Sequence, residues 1–404
     1  MYSLWLSWKH LVHKPSQLVL NLVLLALSTG LIAGVLLFDK MITDRLDRNL
    51  AGIDLVIGAK GSPMQLILSG MYHLDTPTGN IPLSAAAPFM RPGHPLIAQA
   101  VPLSLGDSYQ GYRIVGTDTS FLSLYGLTVG EGQAAMQPMD VLAGASAARA
   151  LGLAVGQTFQ SVHGLDDNPD LTHEDSHPFR VVGILAPSGT VADQLLLTPL
   201  ESVWMVHDHG HGDEPSAESD EQDHREITSL LIRYKVRNHL TLNLPRNINE
   251  NTDLMAASPA MEMNRLYALM GAGTDLLGIL AWIILGVSGL SIFVSLYSSL
   301  QARRYELALM RVMGSTPGGL FRLIIQEGFL LALTGGALGI GLAHVGVWLS
   351  GRFLEEAWHY SFDAGVFLPA EGWLFLGVMV FGVLAALIPA WQARKVDIGA
   401  TLVD

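Results

Sequence analysis

Two textures divide this sequence: long apolar runs without charge, and short alternating stretches separated by turn residues. Residues 16–38 form a run of 23 without a charge, and later runs hold 27 (276–302), 24 (328–351) and 22 (372–393). At about 1.5 Å of helix rise per residue, each is long enough to cross a bilayer core of about 30 Å. Between the first and second runs the pattern changes. Apolar, β-rich stretches at 53–58 (IDLVIG), 112–118, 179–185 and 229–236 are bounded by turn residues, and a helical piece at 143–151 is stopped by Gly152. Strands and helices mixed without strict alternation predict an α+β domain.

The predicted boundaries follow from the charges. They are an N-terminal segment at 1–15, transmembrane helices at 16–38, 274–302, 320–351 and 372–393, and an inserted domain at 39–273. A connecting segment at 303–319, a loop at 352–371 and a tail at 394–404 complete the chain. Lys9 and Lys14 precede the first run with no acid beside them, and Arg303, Arg304, Arg311 and Arg322 lie between the second and third. Arg394 and Lys395 follow the fourth. Cytoplasmic connections carry this excess of Lys and Arg, so both termini and the 303–319 segment are expected inside and the large domain outside. A cleaved signal peptide is the alternative for the first run, but its apolar core is longer than the usual ~7–15 residues. The expected architecture is thus a membrane protein with four transmembrane α-helices (1 + 3) and a large extracytoplasmic α+β domain between the first and second.

Composition agrees: half of the 404 residues are hydrophobic and 15% are charged, against about 25% in soluble domains. The net charge of −13 is concentrated in residues 39–275, with 28 acids against 14 bases. That balance argues against nucleic-acid binding, which needs a basic footprint. There is no cysteine, so disulfides and thiolate metal sites are excluded.

Seven of the 14 histidines fall between His163 and His224, in acid-rich loops at 163–177 and 207–224. Imidazoles alternating with carboxylates suit zinc, nickel or copper, which makes His207, His209, His211 and His224 candidate ligands. The other reading is a solvated acidic insertion too polar to pack. His173-Glu174-Asp175-Ser176-His177 matches H-E-x-x-H, but that zinc-protease chemistry needs a helix, and Pro178 biases His177 away from one. No G-x-x-x-x-G-K-[ST] phosphate loop occurs; Gly58-Ala59-Lys60-Gly61-Ser62 only echoes it at the wrong spacing. In the third run Gly335, Gly336 and Gly339 form a small-residue face, for packing within the chain or against a second copy. His344 is the ionisable group of that run and is expected to be structural.

The sequence from Ala302 to Ser315, ARRYELALMRVMGS, is similar to the cytoplasmic motif E-R-x-x-E-I-G-x-x-[RK]-A-x-G-[AS], with Ala302 and Ala308 departing from it. Gln326-Glu327, the glycines of the third run and Pro389-Ala390 extend the match. In the inserted domain, Val115-Gly116-Thr117-Asp118 with Gly130-Glu131-Gly132, the FRVVGIL stretch at 179–185, and Thr198-Pro199-Leu200 resemble recurrent family segments in the same order. Nearly the whole chain therefore resembles the MacB/FtsX/LolC-type ABC transporter permeases. The resemblance implies a non-catalytic subunit of the inner membrane that binds no cofactor itself. A separate ABC-type ATPase, in two copies, would bind ATP and Mg²⁺ and dock on Arg303, Arg304, Glu306, Arg311 and Gly314. A second permease copy, the surrounding lipids and a periplasmic partner complete the implied assembly. Its substrate would be handled at the outer face, with zinc a possible link at the histidine-rich loop. A regulatory transmitter that transports nothing is the alternative reading, and a membrane zinc protease a third.

Overall fold

The computed structural model describes residues 2–134, 136–163, 178–207, 225–358 and 365–395. It separates into two compact units, one formed by Met1–Ile42 with Leu269–Asp404 and the other by Thr43–Ala268.

The first unit is helical. Its elements are α1 (Tyr2–Val12), α2 (Pro15–Leu50) as far as Ile42, α9 (Pro259–Ala302) from Leu269, α10 (Arg304–Val312), α11 (Pro317–Trp358) and α12 (Pro369–Arg394). The long helices α2, α9, α11 and α12 are each apolar and long enough to cross a membrane. Both α2 and α9 overrun their uncharged stretches, by twelve residues beyond Phe38 and seventeen before residue 276. The overrun segments carry good helix formers, so the loss of apolar character at Asp39 ends the membrane-compatible stretch without ending the helix. Helix α2 stops only where Ala51 and Gly52 turn to positive φ.

Helix α11 has two packing faces. Gly328, Ala332 and Gly336, spaced by four, meet Phe375, Val378, Gly382 and Ala386 of α12. Gly335 and Gly339 instead meet Leu25, Thr29 and Gly30 of α2. A Cβ at Gly339 would stand 2.8 Å from the Ala26 carbonyl oxygen and 3.0 Å from the Gly30 nitrogen, so only a glycine permits that approach. In lipid, such contacts between small residues let backbones draw close where apolar burial offers nothing. Ser291 Oγ adds a hydrogen bond from α9 to Asn21 Oδ1 of α2 at 2.7 Å.

The second unit is built on a mixed sheet. The described strands are β1 (Leu55–Ala59), β2 (Ile81–Pro82), β3 (Ile97–Tyr109), β4 (Tyr112–Thr117), β5 (Val129–Gly132), β6 (Asp140–Ala143), β7 (Thr158–Phe159), β8 (Val162–His163), β9 (Phe179–Leu185), β10 (Leu196–Pro199), β11 (Glu226–Ile227), β12 (Ser229–Tyr234) and β13 (Leu254–Ala257). The main sheet runs β13-β1-β12-β3-β4-β10-β6-β9-β5, with β7 on β9 and β8 on β3, while β11 and β2 form a separate pair. Pairings are antiparallel except β4 with β10 and β6 with β9, which are parallel.

Side chains alternate between the sheet's faces with the period of two that a strand imposes. Val56, Leu103, Val115, Leu142, Leu197 and Leu231 enter one core with α3 (Pro63–Gly70) and α5 (Ser120–Tyr125). Leu55, Ile57, Leu230 and Ile232 enter a second core, and Ile114, Val141, Leu196 and Phe179 a third. The second core includes Ile248 of α8 (His239–Asn251) and is joined by α4 (Leu83–Met90); the third includes Ala147 of α6 (Ala145–Leu151) and Val206 of α7 (Leu200–His207). Because both faces are covered, strands such as β1 and β12 read as nearly continuous apolar runs.

Candidate functional site

The motif-bearing segment is a short helix set between two spans. The chain leaves α9 at Arg303, whose φ of −112° and ψ of 18° break the helix, and restarts as α10 one residue later. Leu307 and Ala308 are buried, while Arg304, Tyr305, Glu306, Leu309, Val312 and Met313 face outward. Arg311 is half-buried. The end of α10 is a Schellman turn: Ser315 N–H donates to the Met310 carbonyl and Gly314 N–H to that of Arg311, at 2.9 and 3.0 Å. Gly314 takes φ +101°, which explains a glycine there. Thr316 then caps α11, its Oγ1 accepting from Gly319 N–H at 3.1 Å, and Pro317 occupies the first helical position.

Arg303 differs from the other motif arginines. Its guanidinium turns inward, donating from Nη2 to the His10 carbonyl at 2.8 Å, with Nη1 3.7 Å from Glu327 Oε1. His10 Nδ1 lies 3.1 Å from the same Glu327 oxygen, and Ser7 Oγ donates to the Leu323 carbonyl at 3.3 Å. Glu327 is 1% exposed. A carboxylate buried to that degree is tolerable only when it is paired and hydrogen-bonded. The network joins α1, the start of α10 and α11, so Arg303 holds the segment in place while Arg304, Tyr305 and Glu306 are presented outward.

Sequence reasoning had matched Glu327 to a motif without assigning it a contact. The available signal was its isolation: it is the single acid from residue 317 to 351. Glu371, expected in an outer loop, lies in the first turn of α12 and is buried. His344 Nε2 stands 3.1 Å from its Oε2, and the His344 ring packs 4.4 Å from that of Phe367. The pair ties α11 to the start of α12. Gly335, Gly336 and Gly339 are all buried against helices of the same chain.

In the outer unit, His73 adopts φ +56° and is enclosed, with neither ring nitrogen hydrogen-bonded among the described residues. Burial, reinforced by the nearby Arg113 cation, pushes its pKa down to about 3. Arg113 donates from Nη2 to the Asp75 carbonyl at 2.7 Å. The described residues contain no group of three or more side chains able to hold a metal. Of the candidate ligands, His207 ends α7, whereas His209, His211, His224 and the H-E-x-x-H stretch lie outside the described residues.

Four helices long and apolar enough to cross a membrane, in 1 + 3 order with a sheet domain inserted after the first, define a multi-pass membrane protein with a large domain outside the bilayer. Two family models match: "MacB-like periplasmic core domain" over residues 18–236 and "FtsX-like permease C-terminal" over residues 278–398. The first spans more than half of the chain, and the chain belongs to the MacB/FtsX family of ABC transporter permeases. It is 24% identical over 232 residues to a pyoverdine export ATP-binding/permease protein, PvdT, of Pseudomonas fluorescens, a match covering 54% of this chain and 32% of the relative. It is 27% identical over 154 residues to an uncharacterized ABC transporter permease, YknZ, of Bacillus subtilis, covering 37% of each. A probable export ATP-binding/permease protein MacB of Pseudomonas entomophila is 26% identical over 124 residues, covering 31% of this chain and 18% of the relative. The matches thus span 18–37% of the length of these relatives. The solved extracellular domain of the Gram-positive transporter YknZ aligns at 12% identity and a TM-score of 0.30, over 51% of this chain and 98% of that one.

Proposed function

We propose that this chain is the transmembrane subunit of an ABC transporter whose ATPase, on another polypeptide, docks on α10 from the cytoplasm. Movement of that ATPase between nucleotide states is passed through the spans to the outer domain, which acts on a substrate at the outer face. The observation that carries this reading is α10 itself. A nine-residue helix is anchored on one side by Leu307 and Ala308 and presents Tyr305, Leu309, Val312 and Met313 outward, flanked by Arg304 and Glu306. Met313 is 72% exposed. Apolar residues at spacings of four, seven and eight form one stripe of a helix, the geometry that fits a groove on a partner. The flanking charges favour encounter and orientation more than affinity.

Cytoplasmic termini follow from the basic residues at the ends of α1, α10 and α12. Energy enters as a difference in binding between two ATPase states, because a partner with equal affinity for both conformations shifts neither. Two copies of each subunit, and zinc at the histidine-rich loop, belong to the same reading. Co-purification with the cognate P-loop ATPase tests the docking. Leu309→Asp and Met313→Asp are expected to lower recovery of the ATPase at least tenfold, and Glu306→Lys or Arg311→Glu by less. Undiminished recovery in all four variants rejects α10 as the docking element.

A further inference from the structure

We propose that a cleft at the α1 end of the membrane unit binds the phosphate headgroup of an anionic phospholipid. The cleft opens to the surface and is lined by His10, Lys14, Asn21, Ser299, Arg303 and Glu327, drawn from α1, α2, α9 and α11 and the joints between them.

The charge balance favours an anion. Lys14 and Arg303 are cationic, and Glu327, the one carboxylate of the lining, is already engaged by His10 and Arg303. Two cations against one carboxylate leave one positive charge over. Ser299 and Asn21 supply hydroxyl and amide donors of the kind that orient a phosphate. Leu18 and Leu296 form apolar walls on the same cleft. Free phosphate shares the headgroup's chemistry but has no chains to lie along those walls.

Depth is set independently. The start of α2, the end of α9, the start of α11 and the end of α12 share one end of an up-and-down bundle. Cation–aromatic pairs mark that end: Lys9 Nζ lies 4.7 Å from the Trp5 ring, and Arg394 and Lys395 lie 5.6 and 5.9 Å from that of Trp391. Trp5 and Trp8 are exposed on α1. Tryptophans with adjacent basic residues populate the headgroup level, and basic pockets between spans on the cytoplasmic side are where anionic lipids bind. A headgroup in this cleft touches Arg303, the residue at the break before α10, so lipid composition would bias the posture of the segment.

This inference rests on the membrane-spanning reading and not on ATPase docking. It is read on the permease alone, so either can fail without the other. The test is native mass spectrometry of the full chain in detergent, titrated with dioleoyl phosphatidylglycerol, dioleoyl phosphatidylcholine or inorganic phosphate. Phosphatidylglycerol is expected to be retained at least tenfold over phosphatidylcholine. Lys14→Gln, and separately the double variant Arg303→Gln/Glu327→Gln, should lower that retention at least fivefold. Arg322→Gln, which removes an exposed arginine at the same end of α11, should not. Equal retention of the two lipids overturns the proposal, as does an equal loss in Arg322→Gln, which would mean attraction to surface charge alone. Phosphate adducts without preference for phosphatidylglycerol overturn the lipid assignment. Lys14→Gln changes no buried contact, so the test survives if the double variant fails to fold.

Discussion

The two units differ in what they leave exposed. In the outer unit the largest fully enclosed side chains are aromatic or aliphatic, among them Tyr72, Phe121, Phe179, Leu103 and Ile114, and its surface is mostly polar. The membrane unit also encloses Leu25, Ile292, Leu296 and Leu331, with Asn21, Thr29, Ser288, Glu327 and Glu371 among them, but it turns large apolar side chains outward: Leu276 and Trp282 of α9 are 69% and 65% exposed. The medium explains the difference. Removing apolar surface from water contributes about 25 cal/mol per Å², so a water-facing unit hides its largest hydrophobic side chains. Lipid is as apolar as leucine, and helices there associate through close backbone approach and hydrogen bonds.

That comparison can be broken at single positions. The largest effect is expected from Arg303→Gln, which leaves Glu327 without its cation. Loss of one partner of a buried pair costs about 3–5 kcal/mol, and the double variant Arg303→Gln/Glu327→Gln should recover most of it. Thermal unfolding in detergent measures both. A double variant no more stable than the single one would show that the pairing contributes little.

Next is Gly339→Leu, whose side chain meets the backbone of Ala26 and Gly30. An overpacking cost near the top of the range, about 3 kcal/mol, is expected by the same assay. Gly341→Ala, with nothing within 4 Å of the added carbon, should be neutral. Equal effects at the two glycines would remove the argument that close approach holds α2 to α11.

The outer unit offers a smaller, pH-dependent test at His73. Its folded pKa is depressed from 6.5 to about 3, so the unfolded state binds the proton first as pH falls. The stability it contributes is complete above pH 6.5 and is lost as pH drops toward 3. Between pH 7 and pH 5 the loss is about 2 kcal/mol, at 1.36 kcal/mol per pH unit. His73→Leu should flatten that slope in thermal melts of the full chain. A slope unchanged in His73→Leu would assign the acid sensitivity elsewhere.

Much of this was legible along the chain. Uncharged runs of 22 to 27 residues are long enough to define spans whatever they pack against. The apolar, β-rich stretches at β1, β4, β9 and β12 were readable because strands covered on both faces are short apolar runs bounded by turn residues. Thr316-Pro317 and Gly314 announced a turn between helices, since each is suited to a backbone geometry that few other residues adopt. Helix ends were not legible where polarity and helix propensity diverge, as at Asp39, because charge ends a membrane run and not a helix.

Local sequence therefore determined which segments cross the membrane, which pair as strands and where the motif segment lies, since each depends on neighbours within a few turns. Only the tertiary structure decided the roles of the buried charges. Arg303 reads as one of several arginines in a basic segment, and its inward turn depends on Glu327, 24 positions later, and His10, 293 positions earlier. Gly335 and Gly336 are adjacent in sequence yet face α2 and α12 respectively, because the 100° step of the helix points them toward different neighbours. Such partners are set by the packing of whole helices, where distant positions share one low-dielectric site and a polar group without a partner is too costly to keep.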